Sequence, residues 1–315
     1  LHKYYRIIVL ILFGLVGSGN ISAEAEIELP ALKLTKVTDS VYSAIGVTLP
    51  PTYENWGHNN NLSVIIGDKE VMVVNGGDNY LLAKALHRQI KQLTSKPITW
   101  LVNENGQGHS MLGNSYWHEQ KVKIIAHKDA AKEFEERAFN ELESMKKRNR
   151  ERAAGTRIWQ PDQVFEDRYT IELGNLTVDL IHFGSAHSAG DISVWLSKEK
   201  TLIAGDIAFH QRLLAIFPES NTKQWLKSFE KLMLLKPKNV VPGHGGPTDL
   251  ATIKKYTYDY LSFLRSQVES LLDEDLGLSE AYLIDQSQYS HLDTFKELSA
   301  KNAGRVFQEM EMEDF

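Results

Sequence analysis

Cysteine is absent from the 315 residues, which removes any disulfide framework and any thiolate metal ligand or nucleophile. A G-x-S-x-G elbow and a phosphate-cradling P-loop are missing as well, so the local signatures of serine hydrolysis and nucleotide binding are not there. An excess of positive charge is also lacking. The formal net charge of -6 gives no general drive toward nucleic acid or anionic lipid, and no nucleic-acid partner is expected. The one basic run, KKRNRER at Lys146–Arg152, shares its helix with Glu141, Glu143 and Glu151 and reads as a solvated face. No apolar run is long enough for a comfortable membrane span, for the N-terminal run Ile7–Val16 falls well short of the roughly 20 residues a span needs.

What is present, 42% hydrophobic and 24% charged residues, suits a globular protein with a sizeable core. Lys3 and Arg6 precede the apolar run, and Ala23 and Ala25 follow it as small cleavage-site residues, which is the layout of a secretory signal peptide over 1–25. The expected mature chain begins near Glu24 or Glu26, is periplasmic or secreted, and keeps no stable membrane span. Strands are expected at Val41–Ile45, Leu62–Ile66 and Glu70–Val74, the last two as a hairpin about Gly67-Asp68. Leu81–Leu93 has apolar residues at helical spacing, and strands follow at Pro97–Val102 and Lys123–Ala126. The segment 128–155 reads as a helical insertion, either a lid or a solvent-facing helix remote from any site.

The second half repeats this logic with strands at Thr170–Leu173, Leu176–Phe183, Ile192–Leu196 and Thr201–Ala204, a helix at Thr222–Leu235 and a strand at Asn239–Val241. From 251 to 315 the chain turns helical, and Tyr256 and Tyr260, four apart, read as core contacts rather than ligand-binding residues. Three expected strand ends run into metal-ligand types: GSAHSAGD delivers His187, LIAGD delivers Asp206 and PGHGG delivers His244. A ligand at a strand exit is held by a rigid sheet, and neighbouring glycines let backbone approach without Cβ collisions. Imidazoles with one carboxylate suit zinc, with iron or manganese as competitors.

The hairpin ending in VVNGG, the block NENGQGHSMLGN, and then GSAHSAGD, LIAGD and PGHGGPTD together resemble the metallo-β-lactamase superfamily over Val41–Asp249. That resemblance implies an α/β fold, the αββα sandwich of the metallo-β-lactamase type, spanning 26–250 with the helical insertion and a helical C-terminal extension. The family's first block reads His-x-His-x-Asp-His before Gly-Asn. Counted back from Gly113-Asn114, Asn105 and Gln107 stand at its first two histidines, His109 at its aspartate and Ser110 at its last histidine, while Asn75 replaces an aspartate that closes the hairpin. What matches is His187, the bridging-type Asp206 and His244.

Two main readings follow, beside a two-metal site completed by ligands that the sequence does not place, for which His58 is the best candidate as extra ligand or acid–base group. In one, a single divalent ion, zinc with iron or manganese as options, is bound by His109, His187, Asp206 and His244, and the protein is an exported hydrolase of an ester, lactone or similar bond. Asn105, Gln107 and His58 then act as polar donors, and His109 is either ligand or general base. In the other, no metal is bound and the fold serves as a binding or regulatory pseudoenzyme. The resemblance makes Asp191 a structural, loop-tying residue. His210 and Arg212 lie close enough in sequence to the bridging aspartate to reach a substrate anion, but read rather as surface-loop residues, with His58 as an exposed loop histidine and His87, His118, His127, His182 and His291 as ordinary. The small-molecule substrate and the oligomeric state are not legible.

Overall fold

In the computed structural model, which describes residues 28–313, seven strands line up in chain order as a first sheet. They are β1 (Leu34–Lys36), β2 (Val41–Ala44), β3 (Leu62–Ile66), β4 (Val71–Val74), β5 (Ile98–Asn103), β6 (Lys123–His127) and β7 (Gln163–Phe165). Pairing is antiparallel up to β4 and parallel beyond it. The second sheet runs β12-β11-β10-β9-β8, from β8 (Arg168–Glu172), β9 (Thr177–Ile181), β10 (Ser193–Leu196), β11 (Thr201–Phe209) and β12 (Asn239–His244). The expected signal peptide lies outside the described residues. Among those residues no helix is long and apolar enough to cross a membrane.

Strand periodicity sets the layers. Met72 and Val74 of β4 turn inward and meet Val102, Ile125, Val178, Leu180, Val194 and Val241, forming the core between the two sheets. Val71 and Val73 point the other way, onto α1 (Tyr80–Leu93) and the later α3 (Asn114–Glu119), through Leu82, Leu86, Ile90 and Trp117. With both faces covered, β4 is apolar throughout, as a strand buried on two sides requires. The outer face of the second sheet is covered by α5 (Thr222–Met233), α7 (Asp259–Asp273) and α9 (Phe295–Glu313), through Trp225, Phe229, Tyr260, Leu264 and Val306. Asn79 caps α1 by accepting from Leu82 N, and Asn221 caps α5 by accepting from Gln224 N, each satisfying a free first-turn donor. The architecture is the expected αββα sandwich, and the C-terminal helices are the layer that closes its second side.

Several elements differ from expectation. β11 does not stop at Ala204 but continues to Phe209 through register shifts at Gly205, and β12 carries on to His244. Short β1, β7 and α8 (Leu278–Ala281) carry too few residues to show a period. Before α7, the chain passes through α6 (Leu250–Ile253) and a π-helical turn at Lys254–Tyr258. In that turn Thr257 Oγ1 accepts from Phe209 N at 2.9 Å and donates to Phe209 O at 3.1 Å, tying the C-terminal helices to the end of β11. Tyr260 is fully buried and Tyr256 packs at the edge of the same core.

The segment after β6 forms one long helix, α4 (Lys128–Asn149), preceding a short 3-10 turn. Its buried residues Ala130, Phe134, Ala138, Leu142 and Met145 fall at spacings of four and three and pack on Met111 and Leu112 beside the short helix α2 (Gly108–Met111). α4 is thus docked against the loop that carries His109. The basic run at its end is not a solvated face throughout. Arg148 donates to both carboxylate oxygens of Asp78, at 2.6 and 2.5 Å, and Arg152 stacks on Tyr53 and Trp56. Phe134→Ala should lower the unfolding free energy by about 3–5 kcal/mol in urea denaturation, whereas Phe139→Ala, on the exposed face, should change it by less than about 0.5 kcal/mol.

Candidate metal centre

The end of β5, the β11 irregularity and the end of β12 converge at one edge of the sandwich. Gly205 has φ +67, a left-handed conformation that turns the chain inside β11, and a Cβ there would meet Glu104 Oε2 at 2.1 Å. A Cβ on Gly243 would lie 1.9 Å from Asp206 Oδ1. Gly205 thus makes room for the Glu104 carboxyl, and Gly243 for the Asp206 carboxylate. It is completely buried, yet its Oδ1 has no hydrogen-bond partner.

Three side chains gather there. One nitrogen each from His109 and His244 and an oxygen of Asp206 lie within 4.8 Å of one another. His109 Nε2 is 3.4 Å from Asp206 Oδ2, and His244 Nε2 is 3.4 Å from Asp206 Oδ1. His187 stands one step further out, with Nε2 3.9 Å from Asp206 Oδ2. Backbone carbonyls orient two of the rings. His244 Nδ1 is 2.6 Å from Asn59 O and His187 Nδ1 is 3.1 Å from Ala215 O, contacts that require Nδ1–H and leave each Nε2 lone pair free toward Asp206. Arg212 Nη1 also lies 3.4 Å from His244 Nδ1, but a guanidinium cannot donate to a protonated nitrogen, so the shorter carbonyl contact sets the tautomer.

Charge distribution follows from burial and proximity. Burial opposes ionisation of Asp206, but the His244 and His109 imidazoles outweigh it and hold the carboxyl well below its ordinary range. Burial likewise disfavours the His109 imidazolium, and the Asp206 charge and hydrogen bond overcome that and raise its pKa. At His244 burial wins and the pKa falls, and at His187 burial brings it down to about 4. Two neutral imidazoles, one imidazole paired with a carboxylate, and an orphaned carboxylate oxygen form a donor set that fits a divalent transition metal ion.

The rewritten block is fully engaged. Asn105 Nδ2 donates to Asp206 Oδ2 at 3.1 Å and lies 3.5 Å from His109 Nε2, while Asn105 Oδ1 accepts from Gln107 N at 3.1 Å. Gln107 and His109 line the cavity outside the triad, and Asn105 is buried behind them. Asn75, at φ +71, is no idle remnant. Its Oδ1 accepts from Glu104 N and Ser110 Oγ, and its Nδ2 donates to Asn61 O, so the carboxamide pins the end of β4 to the His109 loop. Asp191 accepts from Ser188 N and Oγ, closing the His187 loop as a structural residue would.

Some residues occupy places unlike those expected. His58 is buried rather than exposed, its Nε2 has no partner, and burial lowers its pKa to about 4. It does not line the cavity, although the next residues do support the site: Asn59 O meets His244 and Asn60 Nδ2 reaches His109 O at 3.5 Å. His210 and Arg212 are buried because β11 runs on past Asp206 and the C-terminal layer covers its end, with His210 Nε2 2.5 Å from Gly246 O. Two features escape the sequence reading. Glu104, 2% exposed, places an unpartnered Oε1 3.9 Å from His109 Nε2, and burial together with Asp206 raises its pKa. The α4 side chains Arg137, Glu141 and Arg148 form one wall of the cavity. An acidic residue at the last turn of an apolar strand was the available signal for Glu104, while nothing local marks the α4 wall.

The metallo-beta-lactamase superfamily model matches residues 109–244, a span that opens and closes on two of the three clustered groups. A metallo-beta-lactamase type 2 of Bacteroides fragilis is 22% identical over 229 residues, covering 70% of this chain and 82% of that protein. Among solved structures, a metallo-beta-lactamase from Pontibacter korlensis aligns with TM-score 0.59 at 18% identity, over 74% of this chain and 99% of the other. The DIM-1 metallo-beta-lactamase aligns with TM-score 0.59 at 17% identity, over 75% and 99% respectively. At such identities the structural likeness speaks for the fold alone. The family match over the site residues, the curated relative and the shared fold together support the metallo-beta-lactamase superfamily for this chain.

Proposed function

We propose that this protein is an exported hydrolase that uses one divalent metal ion, zinc or its competitors iron and manganese, against an ester, lactone or related acyl bond. The observation that carries the reading is the convergence of His109, Asp206 and His244 with the Nε2 of His244 turned inward and an Asp206 oxygen left without a partner. His187, oriented by Ala215 O, stands beside them as the fourth ligand. A bound ion supplies Lewis acidity, polarising an acyl carbonyl and lowering the pKa of water. The chain's own residues do the rest. Asp206 compensates positive charge in the buried site, Asn59 O and Ala215 O fix the ligand rings, and Asn105 restrains Asp206 from the side. Gln107, on the cavity wall, offers its carboxamide N–H to charge developing on an acyl oxygen. The contact of His109 Nε2 with Asp206 Oδ2 at 3.4 Å favours a ligand role over that of a free general base.

One observation favours a metal-free binding protein instead. The Asn105 carboxamide already donates to Asp206 Oδ2, which satisfies part of that carboxylate without an ion. Export rests on the charged, apolar and small-residue succession over 1–25, and N-terminal sequencing of the secreted protein is expected to start near Glu24 or Glu26.

Elemental analysis of untagged protein should find about one zinc, iron or manganese per chain, the occupancy of a single four-ligand site. His244→Ala should abolish it. No metal after incubation with excess zinc would leave the binding-protein reading. Stripping the ion should also lower the melting temperature by several degrees, because free metal at about 100 times its Kd adds about 2.7 kcal/mol to the folded state. A melting curve indifferent to chelation and reloading would refute metal binding.

A further inference from the structure

The guanidinium groups that α4 brings to the cavity wall are outnumbered by the carboxylates around them. Arg137 is the single guanidinium facing Glu133 Oε1 at 3.0 Å, Glu141 Oε1 at 3.6 Å, and Glu219, to which it also hydrogen-bonds. The other guanidinium of the cavity, Arg148, is already committed to both oxygens of Asp78. Glu133 Oε2 and Glu141 Oε2 are buried atoms with no hydrogen-bond partner, and Glu141 Oε2 lies over Gly108, next to His109. Independently, Glu104, almost wholly buried, aims its own unpartnered Oε1 at His109, which lines the same cavity. Buried acceptors without donors are rare in folded proteins and costly to leave so, and these three surround one short loop. A divalent ion at the triad would answer the charge of Asp206, but the two guanidinium groups of the wall, Arg137 and Arg148, still face four carboxylates, Asp78, Glu133, Glu141 and Glu219, of which Asp78 and Glu141 line the cavity. The cavity, of about 470 Å³, also presents Leu112, Met145 and Phe217.

We propose that the cavity selects a substrate carrying a positively charged group, an ammonium or guanidinium, joined through a short apolar segment to the bond that lies at the metal centre, with Glu141 as the specificity-determining carboxylate. The proposal deepens the hydrolase reading by naming its substrate class, and it rests on that reading for the reaction but not for the charge preference. The cation sits against Glu141 and the apolar segment against Leu112, Met145 and Phe217, while the hydrolysed group meets His109 and Gln107. Substrates whose recognition element is a carboxylate are disfavoured, since Arg137 and Arg148 are both neutralised.

The test is calorimetric titration of the full mature protein, with its metal content as purified, using benzyltrimethylammonium and benzyl alcohol, neither of which brings an acid group to a metal. The wild type should bind the cation at least about tenfold more tightly than the alcohol, with a millimolar or better Kd, and Glu141→Gln should reduce that preference to about threefold or less while its melting temperature stays within a few degrees. Should Glu141→Gln fail to fold, Glu219→Gln removes a carboxylate of the same group from an exposed loop and must also lower the preference. Equal binding of the two probes by the wild type, no binding of either at millimolar concentration, or a preference untouched by these variants would overturn the proposal. Metal analysis of the same samples separates the two readings. Metal present without cation preference defeats this inference alone, and cation preference without metal defeats the hydrolase reading alone.

Discussion

The Asp206 carboxylate is a full charge placed where water cannot reach it, and the arrangement around it is what makes that tolerable. Taking a carboxylate out of water costs several kcal/mol unless partners replace the lost solvation. Here His109 and His244 flank it at 3.4 Å, Asn105 donates from the side, and the glycine at 243 gives it room. Each partner is in turn held: His244 by the Asn59 carbonyl, and the His109 loop by the Asn75 side chain, whose Oδ1 accepts from Glu104 N and Ser110 Oγ. A site so supported depends on two sheets meeting at one edge, because Asn59 and Asn75 come from the first half of the chain and Asp206 and His244 from the second. The αββα sandwich supplies that meeting, and the apolar core between the sheets fixes its register.

α4 is the element that distinguishes the surroundings of this centre. It is anchored by Phe134, Leu142 and Met145 onto Met111 and Leu112, so its polar face cannot move independently of the His109 loop. That face brings Arg137, Glu141 and Arg148 to the cavity. The pairing of Arg148 with Asp78 and of Arg137 with three carboxylates means that the cationic side chains of the wall are already balanced, while carboxylate oxygens are left over. Electrostatics of this kind acts on which molecule enters rather than on the chemistry of the bond.

Much of the fold was legible because its elements are long or strongly patterned. The hairpin of Leu62–Ile66 and Val71–Val74, helix Tyr80–Leu93 and helix Thr222–Met233 each show their period in the primary structure. Less legible were elements set by tertiary contact. The extension of β11 past Ala204 depends on the conformation of Gly205 and on parallel pairing with β12, and the π-helical turn at Lys254–Tyr258 depends on Thr257 meeting Phe209. Glu104 looked like any acidic residue at a strand end. Its isolation is visible only once Asp206 and His109 are placed beside it.

The amino-acid sequence by itself determined the strands and helices with a clear period, the absence of thiolate chemistry and the ligand types, which are local properties of the chain, while the sandwich was implied by the resemblance that its ordered glycine-flanked blocks carry. Only the tertiary structure decided which of those ligands converge, that His187 stands a step outside the tightest group, and that Asn105 and Asn75 are bonded parts of the site rather than empty substitutions. It also decided that His58, His210 and Arg212 are buried and that a charged helix forms a cavity wall. The physical reason is the same in each case: burial, tautomer and pKa are set by neighbours far apart along the chain, and a sequence lists residues without saying which of them will share a boundary with water.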